Sequence, residues 1–404
     1  MSITESSRSI SNGVNEFTLH GHRYLLRTGL ALANVFAWVF VFEYFYVTSG
    51  SSGRALAATA LLYGFAQFIT IVATPMAAAH LERGTKHSLI WGAVCAGGAF
   101  ILLGGTFSGY FSAPFAWGAV GFATLLGVYR ALYWIPYKIV STEIHEHLHM
   151  RSYFEVLIAL MPLFAGLTLG ASAFAEGRLL FGAAALILLS VVPALFLGDT
   201  RERFSWPYVY TFRQLWRRKN YGLVLESFLE GVQGAALFLV WPLAVFLILE
   251  WSYFMLGLIF SVTLLFILLL RRMYGWLMRY AGVENSTTVQ VILVVSGWIG
   301  RLAAGTPVGV VIADSYSYTT QSERGTRLDP MTFEHASDRG AFVDEYTALK
   351  EIALALGRIM LCLIVFSLAF TFALPVVFAV ALVVAAASSG ISVLVARRPV
   401  VSTY

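Results

Sequence analysis

The feature that most constrains the fold of this chain is the length of its uncharged apolar segments. The segment SAPFAWGAVGFATLLGV, residues 112–128, contains no charged side chain. A helix needs about 20 mostly apolar residues to cross a bilayer. Charged residues make up 12% of the chain, whereas a soluble domain carries about 25%. The sequence therefore predicts a membrane protein.

Apolar segments of this kind recur along the chain, and twelve of them approach the length of a spanning helix. Gly300, Gly305 and Pro307 interrupt the ninth and tenth segments, which are the weakest of the set. We therefore predict an all-α polytopic membrane protein with twelve transmembrane helices. The predicted spans are 29–48, 55–78, 88–106, 113–137, 153–174, 178–197, 222–249, 252–270, 287–301, 304–321, 346–370 and 372–395.

The distribution of basic residues predicts the orientation, because cytoplasmic loops carry an excess of lysine and arginine. With the N-terminus inside, only Arg54, Arg178 and Arg301 of the 27 basic residues fall near external helix ends. Arg130 and Arg358 lie within spans. The sequence therefore predicts that both termini are cytoplasmic. The net charge of +5 then indicates anchoring at the cytoplasmic membrane surface rather than binding of nucleic acid.

A polar segment at 199–220 divides the predicted spans into two groups of six. The motifs EVLIAL at 155–160 and EIALAL at 351–356 each open a span, and they begin 196 residues apart. Such a repeat is typical of transporters that arose by duplication. The predicted regions are a cytoplasmic segment 1–28, a six-helix bundle 29–197, a linker 198–221, a second bundle 222–395 and a tail 396–404.

The chain resembles the major facilitator superfamily over its whole length. The loop AAAHLERGTK at 77–86 keeps part of the family's loop motif, and Gly275 and Gly282 keep its glycine spacing, with Arg279 where the family has aspartate. RALYWIPYK (130–138) and DEYTALKEIALALGR (344–358) are similar to an uncharacterised bacterial branch. The resemblance implies two pseudo-symmetric bundles around a cavity lined by spans 1, 4, 7 and 10. It also implies a bacterial inner (plasma) membrane location.

Arg130 lies inside an apolar span, on one helix face with Tyr133, Trp134 and Tyr137. A guanidinium at this depth costs at least about 2.5–3.5 kcal/mol, so it should face the bundle interior and find partners. Two interpretations remain open. Arg130 is either a structural clamp or an arginine that recognises an anion on the substrate path.

A polar stripe in span seven suggests a second functional group. In a regular helix, spacings of four, three, four and four align its members on one face. Glu230 would lie about two turns inside the membrane boundary, where a carboxyl group that exchanges a proton could couple transport to a proton gradient. The alternative is a permanent ion pair with Arg358 or Arg130. The stripe consists of Glu226, Glu230, Gln233, Leu237 and Trp241.

Spans ten and eleven contain a further pair of opposite charges. Asp314 and Arg358 are expected at similar depth, and each would be costly alone. We therefore predict an ion pair between them, either permanent or opening when substrate enters. Glu351 lies seven residues before Arg358 and shares its helix face. The candidates for coupling or ion pairing are Glu230, Asp314, Glu351 and Arg358.

The sequence contains no convincing metal or cofactor motif. His145, His147 and His149 alternate in HEHLH, but no cysteine or carboxylate pattern completes a metal site. The chain lacks the GxxxxGK[ST] nucleotide motif and a soluble block large enough for an ATPase domain. No cofactor is expected, and transport driven directly by ATP is not expected of this chain alone.

These observations favour a secondary transporter that moves a small organic solute by alternating access, with proton coupling as a further expectation. The expected partners are this solute, protons and the lipid bilayer, and a monomer is expected. The alternative is a non-transporting receptor or assembly partner of the same fold. An enzyme is not expected, because no nucleophile–base set is visible. The predicted cavity residues are Asn34, Arg130, Tyr133, Trp134, Glu230, Gln233, Trp241 and Asp314.

Overall fold

The computed structural model describes residues 3–110, 115–142, 151–170, 175–201, 204–281, 287–321 and 343–396. Within these ranges the chain consists of helices and short connections, without a β-strand. Twelve principal helices follow one another in these ranges. They are α1 Ile3–Ser49, α2 Ser52–Ala79, α3 Thr85–Phe107, α4 Phe115–Thr142, α5 Arg151–Leu169, α6 Ala175–Leu189, α7 Tyr221–Ala235 continuing through Ala236–Val240 and Trp241–Ile248, α8 Tyr253–Ala281, α9 Thr287–Leu302, α10 Pro307–Gln321, α11 Val343–Leu368 and α12 Leu374–Ala396.

Each predicted span overlaps one of these helices. In the described part of the chain, nine helices are long and apolar enough to cross a membrane. The apolar helices in α5 and α9 are shorter, and α10 has 15 residues. The helices form because backbone groups in a bilayer must satisfy their hydrogen bonds within the segment. The prediction of an all-α polytopic membrane protein is confirmed.

Helix α1 begins well before residue 29, where the sequence predicts the first span to start. It runs from Ile3 to Ser49, and its apolar portion begins at Phe17. His22 is buried, and its Nδ1 donates to the carbonyl oxygen of Ser190 at 2.8 Å. A polar side chain with such a partner can be buried without water. The polar composition of HGHRYLLR therefore concealed a helix that packs inside the protein.

The helices form two compact units. The first comprises Met1–Ala37, Phe65–Arg213 and Gly340–Ile352. Helix α3 packs against α4 and α6 in this unit. Helices α2 and α4 also approach closely, because Thr70 Oγ1 donates to the carbonyl oxygen of Gly127 at 3.1 Å.

The second unit comprises Trp38–Gly64, Gln214–Arg339 and Ala353–Tyr404. In this unit α9 packs against α10 and α12, α7 packs against α12, and α8 packs against α10. Gly231 allows α7 to approach the backbone of α11, where a methyl group at residue 231 would lie 3.0 Å from Leu354 Cα. The division into bundles 29–197 and 222–395 stays a prediction.

Helix α7 contains a local change of geometry. Ala236–Val240 form a π-helical turn between two α-helical portions. A π-turn uses i→i+5 hydrogen bonds and is often found at functional sites. It changes the angular phase of the residues that follow it. A regular helix would place Glu230 and Trp241 on one face, as the sequence predicts. The π-turn lies between them and rotates one residue relative to the other about the helix axis.

Candidate functional site

The second unit contains a fully buried ion pair between α9 and α10. Arg301 Nε donates to Asp314 Oδ1 at 2.7 Å, and both side chains are 0% exposed. Arg301 lies in the last turn of α9, where the helix dipole favours a cation. Asp314 lies about two turns into α10, so the long arginine side chain reaches back along the helix interface. A mutual ion pair offsets part of the desolvation cost of both charges.

Close packing of α9 and α10 makes this reach possible. Gly297 faces Ser317, and a methyl group at residue 297 would lie 3.0 Å from Ser317 Cα. The absence of a side chain at Gly297 therefore sets the short distance between the helices. Arg301 follows one turn later on the same face of α9.

Three aromatic side chains surround the guanidinium. Its carbon atom lies 4.5 Å from the ring centroid of Trp298, 5.5 Å from Tyr318 and 5.6 Å from Trp241. Trp241 Nε1 also donates to Asp314 Oδ2 at 2.9 Å. Both carboxylate oxygens of Asp314 therefore have a donor, and the orientation of the carboxylate is fixed. We call Trp241, Trp298, Arg301, Asp314 and Tyr318 the Arg301 cluster.

Several donors of the Arg301 cluster lack an acceptor among the residues that the structure describes. Nη1 and Nη2 of Arg301 and Nε1 of Trp298 are buried and have no hydrogen-bond partner among the described residues. A buried unsatisfied donor costs about 1–3 kcal/mol, and more when it is charged. Contact with an aromatic face stabilises the cation by about 0.5–2 kcal/mol, but it supplies no hydrogen-bond acceptor to these N–H groups. The cluster therefore offers several free donors to an acceptor.

The structure corrects the predicted ion pair. We expected Asp314 to pair with Arg358, but its direct ionic partner is Arg301. Arg301, which we predicted near an external helix end, does lie in the last turn of α9, and its side chain is buried there. Which side of the membrane this helix end faces stays a prediction. Position along the chain indicated the depth of the Cα atom but not the direction of a long side chain.

Arg358 lies against α7. A methyl group at Gly234 would be 3.5 Å from Arg358 Nε. Glu230 precedes Gly234 by four residues, so both lie on one face of α7. Glu230 is 8% exposed, and Arg358 therefore brings a cation to the helix face that carries this carboxyl group. The sequence-based alternative of an ion pair between Glu230 and Arg358 stays a prediction. Gln233 is buried, and its Nε2 donates to the carbonyl oxygen of Leu229 at 3.2 Å.

The aromatic stretch of α4 belongs to the first unit. Arg130 is half-buried, and its Nη1 donates to Gln67 Oε1 at 3.4 Å. Tyr133 stacks on Tyr137 with ring centroids 5.6 Å apart. The guanidinium of Arg23 on α1 lies 5.2 Å from the centroid of the Tyr137 ring. Two arginines therefore flank this stretch, and sequence reasoning identified only one of them.

The remaining candidates occupy separate positions. Asn34 on α1 is half-buried, Trp134 on α4 is buried, and Glu351 on α11 is buried. The histidines of HEHLH lie outside the described residues. Within the described ranges, no group of three or more metal-binding side chains comes together.

Sequence reasoning did not identify two members of the Arg301 cluster as site residues: Trp298 and Arg301. A signal was present in the helix spacing. Trp298 and Arg301 are three residues apart, and Asp314 and Tyr318 are four apart, so each pair shares a helix face. The site is predicted by the following pattern: one helix carries a cation with an aromatic neighbour on the same face, and the next helix carries an anion with an aromatic neighbour.

Comparison with known proteins identifies the fold. No family model matches the sequence, and no curated protein matches it at a significant level. Among solved structures, a peptide transporter POT in complex with sulfate superposes with a TM-score of 0.61 at 13% identity, covering 94% of this chain and 93% of that one. A bacterial homologue of the iron transporter ferroportin in its inward-facing state gives 0.61 at 15% identity, covering 94% and 97%. The outward-facing state of a bacterial ferroportin homologue gives 0.59 at 17% identity, covering 95% and 98%. The chain therefore has a fold similar to that of these transporters.

Proposed function

We propose that this protein is a secondary transporter that moves a small organic solute across a membrane by alternating access. The observation that carries the proposal is the Arg301 cluster, a buried charged group with free donors inside a fold that matches transporters over 94% of the chain. Charged side chains inside a membrane are costly and usually serve a function. The fold similarity supports alternating access, because solved relatives of this fold include inward- and outward-facing states.

Proton coupling is part of the proposal. Glu230 and Asp314 are both buried acidic residues of the second unit, and each has an arginine close to its helix face. A proton that moves onto one carboxyl group would release its arginine from the ion pair. Net charge and solute affinity would then change together, which is the linkage that proton coupling requires. Glu230 is the preferred proton carrier, because it is 8% exposed whereas Asp314 is 0% exposed, so a proton reaches Glu230 more readily.

The test is uptake into proteoliposomes that contain the purified full chain. Radiolabelled carboxylates, amines, sugars and peptides would be screened with and without an imposed proton gradient. We expect saturable uptake of at least one class, accelerated by the gradient. Glu230→Gln should remove the acceleration but retain gradient-independent exchange of solute. Exposed Glu82, between α2 and α3, offers a matched control as Glu82→Gln.

The outcomes separate the proposed function from its alternative. A folded protein that binds a solute but does not move it would support a receptor of this fold. Transport that is insensitive to the gradient and to Glu230→Gln would contradict proton coupling while leaving secondary transport intact. Both results can be read in the same vesicles.

A further inference from the structure

We propose that the Arg301 cluster is a binding site for a small monocarboxylate with an apolar or aromatic body. The proposal deepens the proposed transport function, since the opening of the helices during transport would give the solute its path to the site. It names the chemical class of the solute and the residues that recognise it. The following observations favour a monocarboxylate over a phosphate dianion and over a neutral amide.

The first observation is the geometry of the guanidinium. Arg301 uses Nε to bind Asp314. The edge formed by Nη1 and Nη2 remains, and it points away from the Asp314 carboxylate because the guanidinium is planar. Neither atom has a hydrogen-bond partner among the described residues. Two parallel N–H donors in one plane match the two oxygens of a carboxylate.

The second observation is the type of group that lacks a partner. Arg301 Nη1, Arg301 Nη2 and Trp298 Nε1 are all donors with no acceptor capacity. An ionised carboxylate only accepts, so it complements this set. An amide would bring its own N–H groups to the same donors and leave part of the site unsatisfied. The cluster therefore discriminates between a carboxylate and its neutral amide.

The third observation is charge. Arg301 and Asp314 sum to zero when both are ionised. A monoanion adds one negative charge beside Asp314, whereas a dianionic phosphate adds two. In a buried site this difference disfavours the dianion strongly. The site therefore favours a monocarboxylate over the phosphate dianion.

The fourth observation is the aromatic wall. The rings of Trp241, Trp298 and Tyr318 all lie within 5.6 Å of the guanidinium carbon. Such rings pack well against an apolar or aromatic body attached to the carboxylate. An acetate ion has almost no apolar surface that could contact these rings. We therefore expect a solute such as benzoate to bind more tightly than acetate.

The experiment measures equilibrium binding of radiolabelled benzoate to the purified full chain in detergent, at constant ionic strength. Competition with benzamide, acetate and inorganic phosphate gives their relative affinities. Wild-type protein should bind benzoate saturably, and each competitor should bind at least tenfold more weakly. Arg301→Lys should weaken benzoate binding at least tenfold, because lysine lacks the planar fork. Arg54→Gln is the matched control, because Arg54 is exposed, and it should leave the affinity unchanged.

A second variant covers the case in which Arg301→Lys fails to fold. Trp298→Phe keeps the ion pair and an aromatic ring but removes the free Nε1 donor, and we expect benzoate affinity to fall several-fold. Equal affinity of benzamide and benzoate, tighter binding of phosphate, or unchanged binding in both variants would overturn the proposal. If benzoate binds at Arg301 but is not transported, the proposed transport function is contradicted and the binding site is not. If carboxylate flux does not depend on Arg301, the binding site is contradicted and the transport function is not.

Discussion

Arg301 and Asp314 form a buried ion pair in which Nε and Oδ1 are 2.7 Å apart. Trp241 binds the second carboxylate oxygen. Removing one charge leaves the other uncompensated, which costs about 3–5 kcal/mol. We expect Asp314→Asn and Arg301→Gln each to lower the thermal unfolding temperature strongly. The double variant should be more stable than the sum of the single changes predicts, because it removes both charges.

The measurement is thermal unfolding of each purified variant in the same detergent. Arg54→Gln is the control for loss of a positive charge at an exposed position, and it should change the free energy of unfolding by less than about 0.5 kcal/mol. Additive effects of the two single changes would show that the pair contributes no coupling energy.

A second prediction concerns the close approach of α9 and α10. Gly297→Ala places a methyl group 3.0 Å from Ser317 Cα, so the helices must separate. We expect a loss of about 1–3 kcal/mol. Gly300 is on the same helix and has no atom within 4 Å of the position of a new methyl group. Gly300→Ala should therefore stabilise the helix by up to about 1 kcal/mol. Equal unfolding temperatures for the two alanine variants would contradict the packing described.

A third prediction concerns the turn between α7 and α8. Glu250 and Trp251 adopt positive φ angles of 53° and 65°, a conformation that costs most residues about 1–2 kcal/mol. Glycine adopts it readily. We expect Glu250→Gly to raise the free energy of unfolding by about 0.5–1 kcal/mol, measured by thermal denaturation.

Trp251→Gly serves as the comparison at the adjacent residue. It relieves the same backbone strain but removes a ring whose centroid lies 4.8 Å from that of Tyr46. This variant should therefore be destabilised. Stabilisation of both variants would mean that the ring contributes little, and destabilisation of both would contradict the strain.

The fourth prediction concerns orientation. Ser51 lies between α1 and α2, and exposed Glu82 lies between α2 and α3. From the excess of basic residues on alternate loops, we predict that Ser51 is outside and that Glu82 is in the cytoplasm. A membrane-impermeant maleimide applied to intact cells should label Ser51→Cys, and it should label Glu82→Cys only after permeabilisation. The reverse pattern would invert the predicted topology.

The sequence predicted the helices well, because the requirement for about 20 apolar residues leaves a strong signal in each span. The start of α1 was less predictable. His22 and its neighbours lower the apolar content before residue 29, yet His22 is buried with a backbone partner. Hydropathy records the composition of a segment but not the partners that allow a polar side chain to be buried.

The candidate site was predicted only in part. Trp241 and Asp314 were both identified as cavity residues, and they are hydrogen-bonded to each other. Arg301 was missed as the partner of Asp314, because a single sequence does not show which helices are neighbours. Arg358 had the same expected depth as Asp314, but depth alone leaves several possible partners. The Arg301 cluster depends on the direction of long side chains, which only the packed helices determine.

The π-turn at Ala236–Val240 has a consequence for the ancestry and engineering of this protein. A π-turn contains one residue more than the α-helical turn it replaces, so it corresponds to a single-residue insertion. Each residue of an α-helix rotates the chain by about 100°. Deleting one residue of this turn would restore a regular helix and swing Trp241 away from Asp314. The chain without this residue would present a different side chain to α10, so the length of this one turn decides which group of α7 meets Asp314.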